Sequence, residues 1–220
     1  MNRNWLTKTA VSLAALAVFV VLAAGSIDTE EAVTVSVDTI TQAKTALTQA
    51  MQQVNVSATE TSTTVTSAYE ELKTYLDENQ LADEQLRSLE QDLDAMKTKR
   101  DSLDADLAES KEEASDLFTL LKRRAEENET EELREEMLTN IDEKADDLRA
   151  KFRAADAQIE RINDSIQKFD DIVGYLQVNR GLAGIEQMTE DIDKFIAAGA
   201  EFDDEIRQQI EAGMELVEGL

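Results

Sequence analysis

The sequence predicts an all-α protein, an elongated antiparallel coiled-coil hairpin with flanking N- and C-terminal helices. Three observations lead there. From residue 40 onward, apolar residues recur at alternating spacings of three and four, the period of helices that each bury one stripe. Proline is absent, and six of the seven glycines stand at Gly174 or later, so little before that point forces a helix to stop. Aromatic residues make up only 5% of the chain while charged residues reach 32%, the composition of long solvated helices rather than of a thick globular core.

Residues 1–25 read as a signal peptide. Arg3 and Lys8 stand without an acid, Ala10 to Gly25 is almost wholly apolar, and Leu22-Ala23-Ala24 offers a small-residue cleavage site. The apolar run is short for a membrane span, which needs about 20 residues. Cleavage near Ala24 to Ser26 is therefore expected, and retention as an N-terminal anchor is the alternative. Residues 26–38, where Val33, Val35 and Val37 alternate among polar residues and acids, are expected to form a frayed leader.

Residues 39–78 form an N-terminal helical segment on the seam Ile40, Lys44, Leu47, Met51, Val54, Ala58, Thr61, Val65, Ala68, Leu72 and Tyr75. Asn55 to Thr66 is dense in Ser, Thr and Val, which lose rotamer freedom in helices or compete for their backbone hydrogen bonds. Together with the capping-box pair Ser57 and Glu60, this predicts a break or kink near Val56. Asp77-Glu78-Asn79-Gln80 is a second weak point.

Residues 79–178 carry the hairpin. Its outgoing seam runs Leu86, Leu89, Leu93, Met96, Arg100, Leu103, Leu107, Ser110, Ala114, Leu117, Leu121, and its return seam runs from Ile141 through Leu148, Phe152, Ile159, Ile166 and Phe169 to Leu176. Between them, Lys122-Arg123-Arg124 ends one helix and Glu129 to Glu132 starts the next, as the macrodipole favours, with Asn128 or Thr130 as cap. Folding about the Glu127–Asn128 bond makes opposed residue numbers total 255, which pairs Leu93 with Ile162, Leu103 with Phe152 and Arg100 with Ala155, within reach of Asp156. Totals of 248 or 262 share the same phase. Arg100 is the one polar seam residue of note: its head either snorkels to solvent or Asp156, or fixes register from within the seam.

Asn179 to Gly184 reads as a helix stop and turn. A C-terminal helix over residues 182–218 then carries Ile185, Met188, Ile192, Phe195, Gly199, Phe202, Ile206, Gln209, Gly213 and Leu216. Gly199 and Gly213 are either tolerated weak points or sites where another backbone approaches closely.

The formal charge of −26, from 48 acids against 22 bases, repels nucleic acid and anionic membrane surfaces. Without His or Cys the chain lacks the usual general base, soft metal ligands and thiol nucleophile. Asp92 with Asp94, Asp191 with Asp193, and Asp203-Asp204-Glu205 are paired acids, but on slender helices they read as surface charge. No catalytic, cofactor-binding or metal-binding residue is assigned, and no cofactor is expected.

From about Tyr69 to Val217 the order of features resembles a family of exported bacterial helical-hairpin proteins of unknown function, mostly predicted lipoproteins. Leu117-Phe118, Leu133-Arg134 and Tyr175-Leu176-Gln177-Val178-Asn179, followed by the Ile185 to Ile196 helix, carry the resemblance. Gln177-Val178 stands where the family has a Lys-His pair, and Ser26 where members usually have a lipid-bearing cysteine. The resemblance implies export and a helical hairpin, not an activity. The expected role is a non-enzymatic spacer or protein-interaction scaffold in the cell envelope, periplasmic or secreted, with self-association through its seams open and the protein partner unspecified. The alternative is a helical sensor or receptor component anchored in the inner membrane by the uncleaved N-terminal segment; otherwise no membrane contact is expected.

Overall fold

In the computed structural model, which describes residues 35–77, 82–178 and 186–220, four helices follow one another: α1 (Val37–Asp77), α2 (Asp83–Glu126), α3 (Glu131–Val178) and α4 (Glu186–Glu218). α2 and α3 form the expected antiparallel hairpin. The flanking helices lie alongside it: α1 packs on α2 and α4, α3 packs on α2 and α4, and α1 meets α3 only across the diagonal. This is the neighbour pattern of an up-down-up-down four-helix bundle. Each helix touches two neighbours, so the buried stripe is wider than the a and d positions of a coiled coil. Thus Phe118 and Ala125 beside the α2 seam, and Ser165 and Ile172 beside the α3 seam, are buried as well.

α1 begins two residues ahead of the sequence expectation. The Ser36 hydroxyl accepts the Thr39 N–H at 3.1 Å, a side-chain cap, while Val35 is buried and donates its N–H to Glu127 at 2.9 Å. The helix then runs through Val56 without the expected break. The hydroxyls of Thr59, Thr61 and Thr64 bond the carbonyls four residues back, which satisfies them without disturbing the helix. The Ser57–Glu60 capping box does not form. Ser57 instead donates to Asp106 on α2, and Glu60 pairs with Lys99 at 2.6 Å. The short side chains serve packing, since they let α2 and α4 come close. The second weak point coincides with the end of α1 at Asp77; residues 78–81 lie outside the described residues.

Between α2 and α3 the turn occupies Glu127 to Thr130. Asn128 accepts the Thr130 N–H at 3.0 Å, and the Thr130 carbonyl accepts the Arg134 N–H at 2.9 Å, so both expected capping residues contribute. The register differs from the expected one by a heptad. Lys97 pairs with Asp170 at 2.8 Å, Lys111 with Asp156 at 2.6 Å, and Gln177 donates to Glu90 at 2.7 Å. All three pairs join e positions and total 267, which puts opposed seam residues at 262 instead of 255. Two physical terms favour the shift. The 255 register would set Glu90 against Asp170, Asp104 against Asp156 and Lys111 against Arg149, three like-charge contacts. It would also place Ser110 against Ala145, whereas the observed one sets Ser110 against Phe152, Ala145 against Leu117 and Ala114 against Leu148, small against large.

α4 packs with its glycines inward. Gly199 and Gly213 are buried, and an added Cβ would lie 2.8 Å from Thr66 Oγ1 at the first and 2.5 Å from Met51 Cε at the second. Close backbone approach is therefore the role of Gly199, which lies against the Thr66 backbone, whereas Gly213 makes room for the side chains of Met51 and Leu148. Past Ile206 the buried positions are Ile210, Gly213 and Val217 rather than Gln209 and Leu216, a one-residue drift of the stripe that a straight helix accumulates against a strict heptad. The Asn179 to Gly184 turn and Ile185 lie outside the described residues, as does the Met188 side chain.

Candidate interaction groove

Where α2 and α3 lie side by side, the small residues Ala114 and Ala145 line one stretch of their junction. A groove of about 430 Å³ opens there. Phe118, Leu148 and Phe152 form its apolar floor, and Lys111, Lys122, Arg149, Arg153 and Asp156 form its rim. On a chain of net charge −26, the four rim cations gather several of its acids around them.

Three rim cations are paired. Lys111 meets Asp156 at 2.6 Å, Lys122 meets Asp142 at 2.5 Å, and Arg149 meets Asp146 at 2.6 Å, with each side chain 40–75% exposed. Exposed pairs of this kind contribute roughly 0–1 kcal/mol, so an incoming carboxylate displaces or shares them at little cost. Arg153 is exposed and makes no ion pair among the described residues. Lys111 and Arg149 occupy e positions beside the seam, so the heptad phase already held the signal for this rim.

Arg100 lies a heptad from where the sequence placed it relative to α3. Its guanidinium donates to Asn163 on α3 and to Asp101 at 2.7 Å, with Asp104 at 3.7 Å. It does not reach Asp156, which Lys111 occupies, because the hairpin register is shifted. The half-buried head therefore ties α2 to α3.

The paired acids of the sequence separate into surface charge and one inward-facing group. Asp191 pairs with Lys194 at 2.8 Å, Asp193 with Lys73 at 2.6 Å, Asp203 with Arg207 at 2.5 Å and Glu205 with Arg161 at 2.6 Å. The Lys194 bond holds the Asp191 carboxyl below its ordinary range. Asp92 behaves differently. Its Oδ2 is buried without a donor, and burial, then the nearby Glu71 carboxylate, raise its pKa. Glu71 in turn accepts Tyr75 and Ser88, the latter at 2.7 Å. These four residues form a polar cluster in the α1–α2 interface that periodicity did not reveal, because Glu71, Ser88 and Asp92 flank the seam that ends at Tyr75.

Tyr69 marks the meeting of α1, α3 and α4. Its ring packs edge-on to Phe169 at 5.2 Å and stacks on Phe195 at 5.3 Å, and its hydroxyl donates to the Ser165 carbonyl at 2.5 Å. Burial, reinforced by the Asp171 carboxylate, pushes its phenol far above the ordinary tyrosine range.

Among the described residues no group of acids is arranged to hold a metal ion, and no helix is long and apolar enough to cross a membrane. Ala10 to Gly25 lies outside the described residues. Comparison with family models, curated proteins and solved structures finds no match.

Proposed function

We propose that this chain is a non-enzymatic, exported helical protein of the cell envelope, acting as a spacer or protein-interaction scaffold. The observation that carries this reading is the bundle's construction: helices of 33 to 48 residues closed on a core that continues from Leu47 and Leu117 to Leu72, Leu89 and Leu176. At 1.5 Å per residue the longest extends about 72 Å. The fold thus places its apolar residues in a long, narrow core and turns the long polar faces of its helices outward. The apolar Ala10 to Gly25 segment after Arg3 and Lys8, and the resemblance over residues 69–217 to exported helical-hairpin proteins, support export.

Crosslinking in the native cells, followed by affinity capture from the envelope and mass spectrometry, tests the proposal. The expected result is a protein partner joined to the helical faces, and a chain starting between Gly25 and Ile27. A cytoplasmic chain that retains Trp5 and joins no other protein would overturn it. Trp5 in the membrane fraction would instead identify the N-terminally anchored sensor or receptor component.

A further inference from the structure

We infer that the start of α3, from Glu131 to Asn140, receives a basic amphipathic helix of a partner protein. The inference rests on the scaffold reading and names the partner's chemistry. Glu205 on α4 bonds Arg161, and α4 ends thirteen residues later at Glu218, level with about residue 148 of α3; Gly213 set against Leu148 puts that end near residue 143. Residues 131–140 of α3, about 15 Å at the helical rise, therefore lie beyond α4. Leu133 and Met137 stand on this stretch, 49% and 38% exposed. They hold the heptad positions that Arg161 and Ser165 hold where α3 faces Ala198 and Phe202 of α4, so they continue a face that α4 covers elsewhere. Val37, 68% exposed, starts α1 at the same end, where the Val35 N–H bonds Glu127. Three of the five large apolar side chains left exposed among the described residues thus gather here, and such a gathering marks a docking surface.

Charge selects the occupant. Between Glu126 and Glu143 the chain carries nine acids and a single cation, Arg134. Glu127 and Asp142 pair with Arg124 and Lys122; the other seven, exposed Glu132 and Glu136 beside the apolar pair among them, make no ion pair among the described residues. A helix with apolar side chains at i, i+3, i+4 and i+7 covers Leu133 and Met137, and cations beside that stripe meet Glu132, Glu136 and Glu143. An acidic helix would add to the unpaired charge. A second copy of the chain brings another net charge of −26, so self-docking is opposed by long-range repulsion. The α2–α3 groove offers neither feature, since Phe118, Leu148 and Phe152 are buried and three of its cations are paired.

The test uses the full chain and a synthetic helical peptide of four turns with leucine at i, i+3, i+4 and i+7 and lysine flanks. Controls replace the leucines by serine or the lysines by glutamate, all followed by calorimetry at physiological ionic strength, where screening suppresses binding to the chain's acidic faces at large. The basic striped peptide is expected to bind at least about tenfold tighter than either control. Leu133→Gln with Met137→Gln should weaken it about tenfold with the melting temperature unchanged, since both positions are exposed and glutamine keeps the helix. Glu132→Gln with Glu136→Gln should weaken it and flatten its salt dependence, while Glu109→Gln with Glu112→Gln, which removes the same charge from exposed positions of α2, changes it less than about twofold. A photocrosslinker in place of one peptide leucine should attach to residues 131–140. Equal binding of either control peptide, no binding at millimolar concentration, equal losses from the α2 and α3 variants, or crosslinks on another face would each overturn the inference. So would self-association of the chain that Leu133→Gln with Met137→Gln abolishes, since the occupant would then be a second copy. A partner captured in cells on another face would remove this assignment and leave the scaffold reading intact.

Discussion

Ser62 donates its hydroxyl to the carbonyl of Gly199 at 2.6 Å, joining α1 to α4 where both are buried. The bond exists because neither residue has bulk to keep the backbones apart. A methyl group at Gly199 would sit 2.8 Å from Thr66 Oγ1 and 3.6 Å from Val65 Cγ1. Gly199→Ala should therefore destabilise the bundle by about 1–2 kcal/mol, although alanine's helix propensity favours the change by about 1 kcal/mol. Gly213→Ala meets the buried ends of Met51 and Leu148 and should also destabilise the bundle. Urea denaturation followed by circular dichroism checks both; an unchanged or raised stability for Gly199→Ala would show that α1 and α4 are free to spread.

Tyr69→Phe isolates the buried hydrogen bond to Ser165. Losing it should cost about 1 kcal/mol at neutral pH. The folded-state pKa of Tyr69 is raised above the unfolded value, so its contribution is complete below about pH 10 and is lost as pH rises beyond it. The variant should fall less steeply in stability above that pH. Some slope should persist, because the hydrogen bond to Glu71, followed by burial, also raises Tyr75. Identical alkaline slopes in variant and parent would contradict the assignment.

Asp92 offers the opposite experiment. Its carboxyl is raised by burial and Glu71, so its favourable contribution is present in the protonated state and is lost as pH climbs through the folded-state value. Asp92→Asn should raise the melting temperature at pH 7, and the gain should shrink toward zero below about pH 4, where the unfolded carboxyl is also protonated. A gain of the same size at both pH values would mean that charge is not the cause.

The continuity of α1 makes a local prediction. Backbone amides from Asn55 to Glu60 should exchange with solvent as slowly as those of the flanking turns, because their hydrogen bonds are helical and the inner face is covered by α2 and α4. Exchange by hydrogen–deuterium mass spectrometry distinguishes this from a hinge, which would show fast exchange confined to that stretch.

The heptads disclosed the helices, the hairpin and the inward face of each helix, since a period of three and four is a statement about which side is buried. They could not disclose level. Shifting α3 by seven residues preserves every a and d contact class, so Lys97, Lys111 and their e-position partners had to be weighed to choose between 255 and 262. Ser57, Thr61 and Ser62 misled for a related reason. Their hydroxyls oppose a helix in isolation, but become compatible once bonded to their own turn, Asp106 or Gly199. The groove was legible only in part: its rim cations lie in the sequence, but which layers Ala114 and Ala145 oppose depends on the level of α3, which the heptads leave open.

The register is thus the claim on which bundle and groove both depend, and crosslinking reads it directly. The chain has no cysteine, so Lys97→Cys can be combined in turn with Asp170→Cys and with Asn163→Cys, one heptad or about 10.5 Å away along α3, and treated with a short bismaleimide. Efficient intrachain crosslinking of the 97–170 pair and little of the 97–163 pair is the expected result. Preference for 97–163 would restore the 255 register, set Lys111 against Arg149 and contradict the groove.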